Sequence, residues 1–159
     1  MRLLLATAIL AITTISSMAQ PASRSWETWT RDGSCFAILF PKDGAIEELN
    51  TPKAYLSIKH TPAEQARNAI AIVSGLEDTD GLAGRADVDG KLFELLIYNG
   101  NGYVKTGDRE DALVAALMAG KELRVTWSGP AGMTVQTYDL EGVTQAKRTI
   151  DASCYPQSE

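Results

Sequence analysis

Two cysteines, Cys35 and Cys154, stand near opposite ends of a chain of 159 residues. Joined, they oblige the fold to bring an early strand and the last element of the chain together. The count is even, neither residue lies in a C-x-x-C pair and no histidine is close to either, which points to a structural disulfide rather than a reactive thiol. Closing a loop of roughly a hundred residues stabilises the folded chain by about 4 to 5 kcal/mol in the chain-entropy picture. That is comparable with the whole net stability of a small domain.

A disulfide needs an oxidising compartment, and the N-terminus carries the pattern of an export signal. Arg2 supplies positive charge, Leu3 to Ile15 is a short apolar run, and Ser17 and Ala19 are small enough for a signal peptidase. A secretory signal peptide is expected over 1–19, cleaved after Ala19, with one domain over 20–159. The apolar run is shorter than the roughly 20 residues that span a bilayer. No transmembrane segment is therefore expected once the signal is removed, and the expected location is periplasmic or secreted. The net charge is -5, and Lys42, Lys53, Lys59, Arg67, Arg85 and Lys91 are scattered. Nucleic acid is not an expected partner, because its binders gather Lys and Arg into a patch.

Within the domain, Asp32-Gly33, Asp89-Gly90 and Asn99-Gly-Asn-Gly102 mark tight reversals between strand-like runs. Cys35 to Phe40 reads as a strand ended by Pro41, and a loop runs from Lys42 to Lys53. Ala54 to His60 alternates, with Ala54, Leu56, Ile58 and His60 on one face and Tyr55, Ser57 and Lys59 on the other. Ala69 to Ser74 reads as a strand buried on both faces, while Pro62 to Asn68 fits a helical turn or plain loop. Arg85 to Val88 and Leu92 to Tyr98 flank the Asp89-Gly90 turn.

The stretch from Asp108 to Ala146 has the clearest pattern. Asp108 is placed to cap a helix over Arg109 to Ala119, with Leu113, Val114, Leu117 and Met118 at helical spacing and Gly120 as the stop. Asp111 is three residues past the proposed cap, close to a capping box. Strands from Glu122 to Trp127 and Met133 to Leu140 follow around Gly129-Pro130, with Leu123, Val125 and Trp127 sharing a face. Val143, Ala146 and Ile150 predict a last helix or helical turn reaching Cys154. About eight strands and one or two helices, without regular alternation, favour a mainly β fold: an antiparallel β-sandwich with one or two short helices.

No residue set assembles a recognisable active site. His60 is the only histidine, no Gly-x-Ser-x-Gly stands at a strand-to-helix turn, and His60 is read as a surface or strand-end residue rather than a member of a triad. One histidine and two oxidised cysteines do not make a zinc site. The Asp78 to Gly81 and Asp87 to Gly90 segments lack the oxygen ligands at fixed steps that a calcium loop needs, and read as turns. No cofactor or metal is expected, and no enzymatic activity. Among Trp26, Trp29, Trp127, Tyr98, Tyr103 and Tyr138, most are expected in the core. The candidate interaction loop is Tyr98, Asn99, Asn101 and Tyr103, where aromatics flank an Asn-Gly turn at the surface.

Trp29 followed by Cys35, then Asp111-x-Leu-Val-x-Ala-Leu-Met-x-Gly120, Leu123-x-Val125 with Gly132, and Thr137-Tyr-Asp-Leu-x-Gly142-Val-x-x-Ala146 before Ile150 and Cys154 form an ordered series. In these motifs the chain resembles the invasion-associated locus B family of exported bacterial proteins. The resemblance is dense over the C-terminal half and sparse between Pro41 and Gly84. It implies an immunoglobulin-like β-sandwich at the cell envelope, linked to host-cell invasion and virulence, with no catalytic residues to carry over. The expected function is thus that of an exported, non-enzymatic binding or cell-envelope protein with a protein or envelope partner. The alternative is a periplasmic hydrolase or small-ligand carrier whose site is built from scattered carboxylates.

Overall fold

A computed structural model describes residues 25–42, 54–77, 79–105 and 107–156. The signal peptide expected over 1–19, most of the loop after Lys42, and Asp78 lie outside the described residues. Among the described residues nine strands run in the order β1 (Glu27–Arg31), β2 (Ser34–Leu39), β3 (Tyr55–Thr61), β4 (Ala66–Val73), β5 (Ala83–Val88), β6 (Lys91–Tyr98), β7 (Asn101–Tyr103), β8 (Glu122–Gly129) and β9 (Gly132–Asp139). Helix α1 (Asp108–Ala119) lies between β7 and β8, and α2 (Val143–Cys154) follows β9. Every pairing is antiparallel.

The turns form where the sequence puts Asp-Gly and Asn-Gly. Asp32 and Gly33, Asp89 and Gly90, and Asn99 and Gly100 all have positive φ, from 48° to 92°. Two successive residues of that kind make the two-residue hairpin turn whose twist matches that of the strands it joins. Pro62 to Glu64 forms a single 3-10 turn before β4, resolving the segment for which the sequence allowed either a turn or a loop.

The strands form one hydrogen-bonded sheet in the order β1-β2-β3-β4-β7-β6-β5-β8-β9, curled into a half-barrel. Strand β6 makes the bend: Lys91 to Leu95 pair with β5 on one side, and Leu96 to Tyr98 pair with β7 on the other. Among the described residues, only the three-residue strap β7 links β4 to β6. Register carries one side-chain parity across the whole sheet. Cys35, Leu56, Ile58, Ile72, Leu95, Ala86, Val125 and Tyr138 all fall on the inner face, where they join a single buried cluster. Trp127 lies at its centre, fully buried. A Cβ at Gly84 or Gly102 would sit 2.9 Å from the indole, so glycine at both positions lets β5 and β7, on either side of β6, close over the ring.

Two local expectations change, the side-chain cap on α1 and the burial of β4 on both faces. Gly107, not Asp108, precedes α1, and no side chain caps the helix; Asp108, Glu110 and Asp111 instead fill its first turn, where the helix dipole favours negative charge. Met118 is 39% exposed, because the buried stripe of α1 comprises Leu113, Val114 and Leu117. Gly120 ends the helix as the sequence predicts, in extended geometry (φ -87°), and glycine is needed because a Cβ would approach Val88 to 2.6 Å. Strand β4 is buried on one face only, at Ile70 and Ile72, since Ala69, Ala71 and Val73 face outward and are half-exposed.

Candidate functional site

Helix α2 is held to the inner face of the first four strands by two adjacent latches. Cys154 is disulfide-bonded to Cys35 on β2, with their Cα atoms 6.0 Å apart. One turn earlier, Asp151 meets His60, the direct cross-strand neighbour of Cys35 on β3. His60 Nε2–H donates to Asp151 Oδ1 at 3.0 Å. Lys147 Nζ donates to both Asp151 oxygens at 2.7 and 2.6 Å, and Arg67 Nη2 donates to Oδ1 at 3.3 Å. Tyr155 closes the end, its hydroxyl donating to the Ala66 carbonyl while its ring packs edge-on against His60 and beneath Arg67.

Of the two readings the sequence left for His60, strand end holds and surface does not: it is the penultimate residue of β3 and is fully buried. Alternation already put it on the face of Leu56 and Ile58, but its charged neighbours come from elements too distant in sequence to be read locally. Its Nδ1 accepts the Asn68 backbone N–H at 3.1 Å, so the ring is the neutral Nε2–H tautomer and both nitrogens are engaged. A general base needs a free acceptor within reach of substrate, and this imidazole presents none. Burial, aided by the Lys147 charge, holds its pKa below the ordinary 6.5 despite the attraction of Asp151. Partial burial pushes the Asp151 carboxyl up, but Lys147, His60 and Arg67 outweigh it and leave the group below its usual range.

The second region is the outer face at the β6–β7 hairpin, which contains the candidate loop. Tyr98 is 70% exposed and Leu96 63% exposed. Register sets Tyr98 opposite Asn101, Asn101 opposite Val73 and Val73 opposite Tyr55, giving one row across four strands. Leu96, Tyr103 and Ala71 form the next row. Asn99 is exposed at the turn, while Asn101 and Tyr103 are half-buried. The turn is anchored: the buried Ser74 donates its N–H to the Gly100 carbonyl at 3.3 Å, and a Cβ on Gly100 would strike Thr79. A fixed apolar platform with polar amides at its rim suits contact with another macromolecule.

Leu92, Met133 and Val135 extend the exposed apolar set on the same sheet face, at 58%, 73% and 44% exposure. The sequence reading missed them, although Glu94 marks the outward parity of β6 and so places Leu92, Leu96 and Tyr98 beside it. Between these residues the outer face dips into an open concavity of about 500 Å³ lined by Arg85, Glu94, Thr126, Ser128 and Met133, among others. It holds one carboxylate rather than a pair.

The remaining aromatics sort by environment. Trp127 and Tyr138 are fully buried and share Gln136 Oε1 as acceptor, at 2.8 and 3.2 Å, while Gln136 Nε2 donates to the Ser74 carbonyl at 2.6 Å. Burial pushes the Tyr138 phenol well above its ordinary pKa. Trp26 packs on the core, and Trp29, 39% exposed, stacks on Phe36. The Asp87 to Gly90 segment is a turn as expected: Asp87 accepts the Gly90 N–H, and Asp89 accepts those of Lys121 and Glu122. Among the described residues no group of three His, Cys, Asp or Glu side chains could hold a metal ion, and no helix is long and apolar enough to cross a membrane. Comparison with protein-family models, curated proteins and solved structures finds no match to this chain.

Proposed function

We propose that this chain is an exported, non-enzymatic binding or cell-envelope protein that presents the outer face of its curled sheet to a protein partner. The observation that carries the reading is the anchored apolar platform around Tyr98 and Leu96, raised on a disulfide-clasped body. Exposed apolar clusters of this kind are uncommon on a surface that meets only water. The disulfide fits an oxidising, periplasmic or extracellular location. Membership of the invasion-associated locus B family, with its link to host-cell invasion, rests on the sequence motifs and remains part of this proposal. So does the immunoglobulin-like sandwich, in which β6 would be the strand shared by the two layers. The alternative of a hydrolase or ligand carrier draws less support, because the concavity at Arg85 and Glu94 is open and lacks a paired carboxylate.

Site-specific photo-crosslinking in the envelope of the producing cell tests the reading. A crosslinker replacing Tyr98 should yield a discrete adduct that one replacing Arg148, on the exposed side of α2, does not. No adduct at Tyr98, or the same adducts from both positions, would overturn it.

A further inference from the structure

The two edges of the sheet are not alike. At the β9 edge the Thr137 carbonyl accepts the Lys42 backbone N–H at 2.6 Å, and the Lys42 ammonium reaches Glu122 at 3.2 Å, so the chain following β2 covers part of that edge. At the other edge all five residues of β1, Glu-Thr-Trp-Thr-Arg, are exposed. Proline and bulges are devices by which edge strands are normally kept from pairing, and β1 has neither.

Which backbone groups of β1 point outward follows from its hairpin. The two-residue turn at Asp32-Gly33 makes Arg31 and Ser34 a hydrogen-bonded pair, and the alternation of antiparallel ladders makes Trp29 with Phe36 and Glu27 with Ile38 the next two. The N–H and C=O groups of Thr28 and Thr30 therefore face away from β2. Among the described residues they meet no other strand.

We infer that β1 is a homotypic docking edge, pairing with β1 of a second copy of this chain about a two-fold axis at Trp29. In that antiparallel register the Thr28 N–H donates to the Thr30 carbonyl of the partner subunit and the Thr30 N–H to its Thr28 carbonyl, each repeated by symmetry. These are the outward-facing groups. Trp29 then meets the partner's Trp29, and Glu27 meets the partner's Arg31 at both ends. The last two contacts fall at non-hydrogen-bonded positions, where side chains across an antiparallel pair come closest.

Charge selects this occupant. Glu27, Trp29 and Arg31 share the outer face, with the acid at one end of β1 and the base at the other. Reversing the direction of an identical strand puts opposite charges together twice, whereas a parallel copy would put like charges together. Among the described residues Arg31 reaches only its neighbour Asp32, at 3.4 Å, both side chains being at least 79% exposed, a contact too solvated to hold it back. Stacking of Trp29 on Phe36, with the Lys59 ammonium 5.4 Å over the Phe36 ring, fixes the indole at the axis before a partner arrives. A seam this short gives a weak, concentration-dependent dimer.

Charge exchange tests the inference on the oxidised chain, with mass in solution followed by analytical ultracentrifugation from micromolar to millimolar concentration. The native chain is expected to shift toward twice its mass. Glu27→Arg leaves both ends of β1 positive and Arg31→Glu leaves both negative, so each alone should associate about tenfold more weakly or worse. An equimolar mixture of the two variants should recover the dimer, as should the chain carrying both substitutions. Because the sites are exposed and distant along β1, only pairing between chains predicts that recovery. A native chain that stays monomeric, single variants that associate as the native chain does, or a mixture that stays monomeric would each overturn the inference.

Discussion

The two halves of the curled sheet are stabilised by different means. Strands β1 to β4 carry α2 on their inner face and are tied to it by links that span the chain: the Cys35–Cys154 bond, with a sequence separation of 119, and the cluster in which Asp151 binds His60, Lys147 and Arg67. Strands β5, β6, β8 and β9 are two local hairpins, closed over Trp127 and the hydrogen bonds that Gln136 makes to Trp127, Tyr138 and Ser74. The clasped half secures the last element of the chain, whereas the hairpin half, held from within, leaves its outer face bearing Leu92, Leu96, Tyr98, Met133 and Val135. A small disulfide-bonded domain can thus concentrate its covalent restraint on one side and its exposed apolar residues on the other.

Removing the clasp should have the largest effect. Replacing Cys35 and Cys154 together by alanine should lower stability by about 4 to 5 kcal/mol, read as a shift in the urea midpoint against the oxidised native chain. Trp127→Ala attacks the other half and should cost about 3 to 5 kcal/mol, from the lost ring and the cavity left between Gly84 and Gly102. A much smaller loss in that experiment would mean that the hairpins stand without their central indole.

The ionic latch sharpens the comparison through pH. Asp151→Asn should cost about 1 to 3 kcal/mol, because it strips the partner from Lys147, a buried ammonium whose side chain is only 8% exposed. His60 is held below its ordinary 6.5, so on acidification the unfolded chain binds its proton first and stability falls from about pH 6.5 down to the lowered value. Asp151, also lowered, adds a second loss only once pH drops below its ordinary 3.8, where the unfolded carboxyl protonates before the folded one. Urea midpoints across pH should show both limbs in the native chain and only the lower one in His60→Gln. At the small end, Tyr98→Ser on the outer face should change stability by no more than about 0.5 kcal/mol. Under the proposed function, the same variant should also fail to recover a protein partner in pull-down from envelope extracts.

What was legible in the sequence follows this division. The hairpin turns could be read because their chemistry is local: Asp89-Gly90 and Asn99-Gly100 reverse the chain through residues adjacent in sequence. The disulfide could be read because two cysteines admit one pairing. The curl of the sheet could not, since it depends on β7 pairing with both β4 and β6, a fact of register between strands that no single segment carries. His60 shows the same limit. Its burial was implicit in the alternation of β3, but Asp151 lies 91 residues away and Lys147 reaches it only through α2. In the candidate loop, the exposure of Tyr98 follows from its turn, whereas the row formed with Val73 and Tyr55 needs the sheet.

The covalent link is expected to restrain one half of this sheet selectively. Amide hydrogen exchange, compared between oxidised and reduced chain under conditions where both remain folded, addresses it most directly. Reduction should accelerate exchange in α2 and along β1 and β2, with β5, β6, β8 and β9 keeping their protection. Equal acceleration in both halves, or none in α2, would contradict it.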